Sequence, residues 1–373
     1  MKITNTNVWT MASEVAQQSR NRYGGATLLE RTVLRLEDDQ GNEGWGEMMP
    51  IIFTDETPAA ATVAIKEAAA KLKGRDVIDS AASATTSGPA AEVDSLFDFT
   101  KLQAARCCVE SALLDLGSQR TGKPFSSVFG GERRSGFELD GPIGLVSPDE
   151  AVEKTKGYLD QGISTVKVKV GADVDSDAER LLAVKEAFGD KINLRMDANG
   201  GYTPEEVIRF CTRILPARVQ HFEQPLLPSE PRCFEIFREI REMGIQVAMD
   251  ESLFSLTDAK KLIDEDAFDV GIIKISKFGG PLAAAEVART LEAAGKTCIL
   301  SASYESYIGK SVGFALALTL EKCDRVHELG HFAAEAEMAE WRHDITGGTF
   351  TRGEGSGLGA RGLAENLDSL AAS

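Results

Sequence analysis

"STVKVKVGADVDSD", residues 164–177, places Lys167 and Lys169 one residue apart in a run of valines. Side chains on a strand alternate faces, so the two lysines share one face while Val166, Val168 and Val170 take the other. If this strand is buried, two ammonium groups point into the interior, which is costly unless counter-charge or chemistry explains it. Four more apolar runs downstream end on a charged residue. They are "INLRMDANG" with Asp197, "VQHFEQP" with Glu223, "IQVAMDESL" with Asp250 and "VGIIKISKFGG" with Lys274, so charged strand ends recur every 24 to 28 residues from Lys169 onward. The period extends back to "FELDGPIG" and forward to "TCILSAS" and "RVHELG", giving eight strand positions between residues 137 and 330. Strands alternating with amphipathic helices at this unit size, with no GxGxxG after the first strand, favour a closed β/α barrel over a doubly wound sheet. In a barrel the valines pack on outer helices and the lysines face inward.

Functional groups in such barrels come from the C-terminal strand ends. Asp197, Glu223 and Asp250 each lie at one, on three consecutive strands, with Asn199 and Glu251 close by. A single acid at such a position reads equally as a cap on the following helix. Three in register, without histidine or thiolate, suit a hard cation such as Mg²⁺. Lys167 and Lys169 precede the acids and Lys274 follows them, so lysines flank the expected metal. Lys167 is expected to lower the pKa of Lys169 and so to favour a neutral amine able to act as a base.

The rest of the chain reads as an ordinary globular protein. It has 373 residues, 43% hydrophobic and 27% charged, enough for one large core or two domains. A net charge of -17 argues against nucleic-acid binding, which needs a basic surface. The start, "MKITNTNVWT", has no apolar leader, no segment approaches a membrane span, and a cytoplasmic location is expected. Six scattered cysteines show no zinc or disulfide spacing. Residues 1 to about 50 read as an antiparallel meander with a turn at "DDQGNEG". Helical spacing follows at Pro58–Lys73 and Phe99–Thr121, with "SAASATTSGPAAEV" between them read as a loop, and a domain boundary falls near residue 135. "DVDSDAERL" has the aspartate spacing of a calcium loop but Ala178 and Val184 where glycine and glutamate belong, so it reads as a loop and helix start. The four histidines form no ligand pair and read as surface or supporting residues.

"VKVKVG", "RMDANGGYT", "HFEQPL", "MDESL" and "IKISKFGG", in this order and spacing, resemble the enolase superfamily and, within it, the muconate lactonizing enzyme (muconate cycloisomerase) subgroup. "GNEGWGE" and "ALLDLGSQRTGKPFSSVFGG" are similar to that family's capping domain and its join to the barrel. The resemblance implies a modified TIM barrel, (β/α)7β, over residues 136–344, with an α+β capping domain from 1–135 completed by the tail 345–373. By motif position it implies Mg²⁺ at Asp197, Glu223 and Asp250, and Lys169 and Lys274 as acid/base groups on opposite faces of a small carboxylate substrate. The implied chemistry is abstraction of the proton α to the carboxylate through an enediolate. A racemase or epimerase of an amino-acid derivative is the leading expectation. A cycloisomerase or dehydratase, which would leave one lysine idle, is the alternative, and a non-catalytic metal-binding barrel is the rival from another class. The family also implies a homo-oligomer.

Departures from the family pattern bear on the substrate. "KTCILSAS" lacks the histidine base of the mandelate racemase subgroup. "SASYESYIG" matches the subgroup's glutamate with Glu305, but Ser303 replaces a methionine and Tyr307 a small residue. Dipeptide epimerases carry an Asp-x-Asp on the last strand, where this chain has Glu328, Leu329 and Gly330. Arg20, Arg22 and Tyr23 lie in the first of the two loops, 17–26 and 48–57, to which the resemblance assigns substrate selection.

Overall fold

The computed structural model describes residues 2–14, 28–51, 54–76, 87–323, 326–330, 344–359 and Leu367. Its N-terminal part is the expected meander, β1 (Ile3–Glu14), β2 (Leu28–Asp38) and β3 (Glu43–Met48), paired antiparallel in that order. The β2–β3 turn is held by Asp38, whose carboxylate accepts the backbone N–H groups of Gln40 and Asn42. Three helices follow, α1 (Pro58–Leu72), α2 (Ser87–Leu96) and α3 (Gln103–Arg120); α1 and α3 pack on this sheet and α2 packs on them. Thr57 caps α1 and Pro58 opens it, the residue types that helix starts favour. The loop expected across "SAASATTSGPAAEV" is corrected from Ser87 onward, where α2 begins. Small residues hid this helix because they give little amphipathic contrast, and Val93 and Leu96 supply its buried face.

From residue 136 the chain alternates strand and helix. The order is β4 (Gly136–Leu139), β5 (Gly141–Ile143), α4 (Pro148–Asp160), β6 (Thr165–Lys169), α5 (Val174–Phe188), β7 (Asn193–Asp197), α6 (Pro204–Ile214), β8 (His221–Glu223), α7 (Cys233–Glu242), β9 (Gln246–Met249), α8 (Leu256–Glu265), β10 (Val270–Ile273), α9 (Pro281–Ala293), β11 (Thr297–Leu300), α10 (Tyr307–Ala317) and β12 (Val326–His327). Strands β5 to β11 form one parallel sheet in sequence order. It closes because Ser301 bridges Glu328 in parallel and β12 pairs in parallel with β4, which runs directly into β5. Counting β4 and β5 as one broken strand gives eight barrel positions joined by seven helices among the described residues, the (β/α)7β architecture expected.

The period of the sequence is thus the period of the barrel. Val166, Val168 and Val170 lie in the main core with Ala178, Leu181 and Val184 of α5, facing the helix layer. The polar residues alternating with them point to the barrel interior. Beyond the barrel, β13 (Asp344–Thr346) and β14 (Thr349–Thr351) form a hairpin added to β4. Asp115 of α3 holds the following segment through the Leu358 N–H, and Leu367 packs with Trp9 and Trp45 of the meander.

Candidate active site

Lys169 ends β6, Asp197 ends β7 and Glu223 ends β8; Asp250 directly follows β9 and Lys274 directly follows β10. Because β6 to β10 are neighbours in that order, the three carboxylates occupy the middle of an arc with a lysine at either end. All these groups are buried except Lys169, which is partly exposed.

The outer acids bond their flanking lysines. Lys169 Nζ donates to Asp197 Oδ2 at 2.5 Å and to Asn199 Oδ1 at 2.9 Å. Asn199 in turn donates through Nδ2 to Glu251 Oε1 at 3.0 Å. On the other side Lys274 Nζ donates to Asp250 Oδ2 at 2.5 Å. Burial alone would raise both aspartates, but Lys169 and Lys167 beside Asp197, and Lys274 and Lys277 beside Asp250, hold both carboxyls well below the usual range. Burial disfavours the charge of Lys274, and Asp250 and Glu223 outweigh it and raise its pKa.

Glu223 behaves differently. Burial and the neighbouring Asp197 push its pKa well up, with Lys167 opposing them. Glu251 is lifted to about 7 by burial and by Asp250. Five acids (Asp197, Glu223, Asp250, Glu251, Glu328) here face four lysines (167, 169, 274, 277), so acid is in excess, and the central acid, Glu223, is the one whose ionisation its neighbours oppose without a cation. Oε1 of Glu223 and Oε2 of Glu251 are buried without a hydrogen-bond partner. Orphaned carboxylate oxygens in an all-oxygen, negatively charged pocket fit a hard divalent cation. Among the described residues His221, Glu223 and Glu328 also bring potential ligand atoms within 4.8 Å of one another. Lys167 already spans that second grouping, bonding Glu223 Oε2 at 2.6 Å and Glu328 Oε2 at 2.7 Å.

This contact revises the expectation for Lys167. Its charge is turned onto Glu223 and Glu328, with Asp197 at 3.3 Å, and these carboxylates outweigh burial and lift its pKa well above the ordinary lysine value. Lys167 is therefore a buried ion-pair partner of the acids, not a free neighbouring charge acting on Lys169. Below it lies a polar floor that the sequence did not reveal. Asp140, lifted to about 7 by burial and Glu328, sits there with Arg195, which bonds Gln220 and the Val326 carbonyl. His221 and His327 are fully buried, so the surface role considered for them is corrected; burial holds both neutral, His327 down to about 3. His331 and His343 lie outside the described residues.

Glu305 is buried two residues after Ser303, accepting the Ser303 N–H at 2.5 Å and the Ser276 hydroxyl at 3.2 Å. Tyr307 opens α10 and packs partly on the core. Arg20, Arg22 and Tyr23 lie outside the described residues. Lys277 was missed by the sequence reading although it stands three residues after Lys274. Its Nζ donates to Asp250 Oδ1 at 2.7 Å and to the Asp250 and Ile272 carbonyls. It therefore fixes the second oxygen of the carboxylate that Lys274 engages through the first.

A family model described as "Enolase C-terminal domain-like" matches residues 150–365. This chain belongs to that family. A hydrophobic dipeptide epimerase of Citrifermentans bemidjiense is 30% identical over 87% of this chain and 88% of its own. In fold, the chain matches a dipeptide epimerase of Cytophaga hutchinsonii solved with Mg and the dipeptide D-Ala-L-Val, at TM-score 0.85 and 24% identity, over 99% of this chain and 98% of that one. It matches equally a muconate lactonizing enzyme of Pseudomonas fluorescens solved with muconolactone, at TM-score 0.87 and 24% identity over 99% of both chains. Membership in the enolase superfamily, with its barrel and cap, follows.

Proposed function

We propose that this chain is a Mg²⁺-dependent racemase or epimerase that inverts the carbon α to the carboxylate of an amino-acid derivative. The observation that carries the reading is the pair of lysines at the two ends of the carboxylate arc, Lys169 on the Asp197 side and Lys274 on the Asp250 side. Asp197, Glu223 and Asp250 would hold Mg²⁺, which would supply positive charge beside the substrate carboxylate and so favour loss of the α-proton.

The chain's own groups move the proton. Lys169, as the neutral amine, takes the α-proton from its face, leaving an enediolate; Lys274, as the ammonium, returns a proton to the other face. Carbon loses one proton and gains one, its configuration inverts, and the two lysines exchange protonation states. Reversal of these roles serves the opposite isomer. Asn199 holds Lys169 in line while tying it to Glu251, and Lys277 does the same for Asp250 beside Lys274. The dipeptide epimerases among the relatives make dipeptides and N-acylamino acids the first substrates to offer.

Proton NMR in D₂O with Mg²⁺, across dipeptides, N-acylamino acids, proline derivatives, hydroxy acids and an unsaturated dicarboxylate, tests the proposal. Loss of the α-proton signal together with appearance of the opposite isomer is expected for one of the amino-acid classes. Silence across those classes, with turnover of a dicarboxylate to a lactone instead, contradicts it in favour of a cycloisomerase.

A further inference from the structure

The segment 171–180, "GADVDSDAER", carries three aspartates, and only Asp177 is buried. Its Oδ2 accepts three consecutive backbone N–H groups, from Gly171 at 2.9 Å, Ala172 at 3.0 Å and Asp173 at 3.1 Å. The same oxygen accepts the Tyr202 hydroxyl at 2.6 Å, while Oδ1 accepts Arg180 Nη1 at 2.8 Å. One carboxylate thus takes five donors and leaves no oxygen facing a cation, which disposes of a calcium role.

The donors come from two loops that matter to the site. Residues 171–173 follow Lys169 directly, and Tyr202 closes the loop that starts at Asp197. Arg180 adds a third tie, donating from Nη1 to the Lys169 carbonyl at 3.0 Å and from Nε to the Val146 carbonyl at 2.5 Å. The loops abut without room for side chains. A Cβ on Gly171, whose φ is +95°, would lie 2.5 Å from the Ala198 carbonyl oxygen, and one on Gly201 would lie 2.3 Å from the Gly171 oxygen. Lys169 Nζ reaches across this same junction to Asp197 and Asn199.

We propose that Asp177 is a positioning residue for Lys169. By gathering both loops onto one carboxylate, and by orienting Arg180 onto the Lys169 carbonyl, it sets the distance from the β6 end to the β7 end and so aims the ammonium of Lys169 at one face of the site. Fully satisfied buried networks of this kind specify a single geometry. A misplacement of about 1 Å at a reacting group costs on the order of 100-fold in rate. The inference rests on reading Lys169 as the base of one face, and its test is chosen to separate the two.

The test is acetylation of the full-length protein with Mg²⁺ present, using an N-hydroxysuccinimide acetate reagent, with Lys169 and Lys274 quantified by peptide mass spectrometry. In Asp177→Asn the ratio of Lys169 to Lys274 labelling is expected to rise about 3- to 10-fold, the factor for losing roughly one net hydrogen bond of order at Lys169 alone. Tyr202→Phe removes one donor of the five and is expected to raise the ratio about 2-fold; it carries the test if Asp177→Asn fails to fold by circular dichroism. A general loosening would raise both lysines together. An unchanged ratio in the folded variants overturns the proposal. With whichever panel compound exchanges its α-proton, Asp177→Asn should also slow exchange on the Lys169 face more than on the Lys274 face, and equal slowing contradicts the proposal. If Lys169→Ala leaves exchange intact on both faces, the base assignment fails while the labelling ratio still decides the role of Asp177.

Discussion

Glu47, at the end of "GNEGWGE" in the meander, fastens the N-terminal part to the barrel. Its buried carboxylate accepts the Ser306 N–H at 2.8 Å, the Ser306 hydroxyl at 2.5 Å and the Gly309 N–H at 2.9 Å, across 259 residues of sequence. These are donors of the first turn of α10, which no carbonyl inside the helix can satisfy. Replacing Glu47 by Leu leaves the buried Ser306 N–H unpaired at about 1–3 kcal/mol and the half-buried Gly309 N–H at about 0.5–1.5 kcal/mol. Loss of an anion from the helix N-terminus adds up to about 1 kcal/mol. The expected destabilisation is about 1.5–5.5 kcal/mol. Glu47→Gln keeps an acceptor oxygen and should lose about 1–2 kcal/mol. Urea unfolding reads this out, followed by far-ultraviolet circular dichroism and by fluorescence of Trp45, which stacks on Trp9 at 5.8 Å. A loss under about 1 kcal/mol in Glu47→Leu, or equal losses in both variants, would refute the reasoning that the carboxylate caps α10.

Two further predictions follow from the site and its floor. Glu223→Gln should weaken Mg²⁺ binding by at least about tenfold in isothermal titration, whereas Lys169→Ala should leave it nearly intact; equal losses would mean the lysine and the acid are not separable in role. His327 accepts the Leu300 N–H through Nδ1, stands edge-on to Phe137, and is held neutral to about pH 3 by burial, with Arg195 and Arg134 adding to the effect. The unfolded chain binds this proton near pH 6.5 and the folded chain does not, so stability attributable to His327 falls as pH drops from about 6.5 toward 3, by about 1.4 kcal/mol per unit. His327→Asn, which can still accept from Leu300, should remove that slope. Buried acids such as Asp140 and Glu251 act in the opposite sense, so the difference between the two proteins over pH 4.5–6.5 is the quantity to measure, and parallel curves would show that His327 does not titrate as described.

The barrel was legible because its period is written in charge. From β6 to β10 each strand end carries a lysine or a carboxylate, preceded by an apolar core residue (Val168, Met196, Phe222, Met249, Ile273), so Lys169, Asp197, Glu223, Asp250 and Lys274 could be read from local pattern alone. What pattern could not give is partnership over distance. Lys167 was read against its sequence neighbour Lys169, but its companions Glu223 and Glu328 lie on strands far along the chain. Glu47 stood out only as the end of "GNEGWGE", similar to the family's capping domain, and Asp177 looked like one member of an imperfect calcium loop; both are defined by donors from other segments. Lys277 had a local signal, since a lysine three residues beyond Lys274 lies on a tight turn that returns it to Asp250. The buried histidines show the opposite failure. Nothing in "VQHFEQP" or "RVHELG" distinguishes a core imidazole from an exposed one until the strand is known to be closed inside a barrel.

The central claim is that two lysines work from opposite faces of one carbon. Its most direct test is stereochemically resolved α-hydrogen exchange in D₂O with Mg²⁺, using both isomers of the best panel substrate and the variants Lys169→Ala and Lys274→Ala. Each variant should abolish inversion while still bind Mg²⁺, and each should retain exchange without inversion for one isomer only, the two variants choosing opposite isomers. Inversion that survives in either variant would leave that lysine idle and contradict the two-base account.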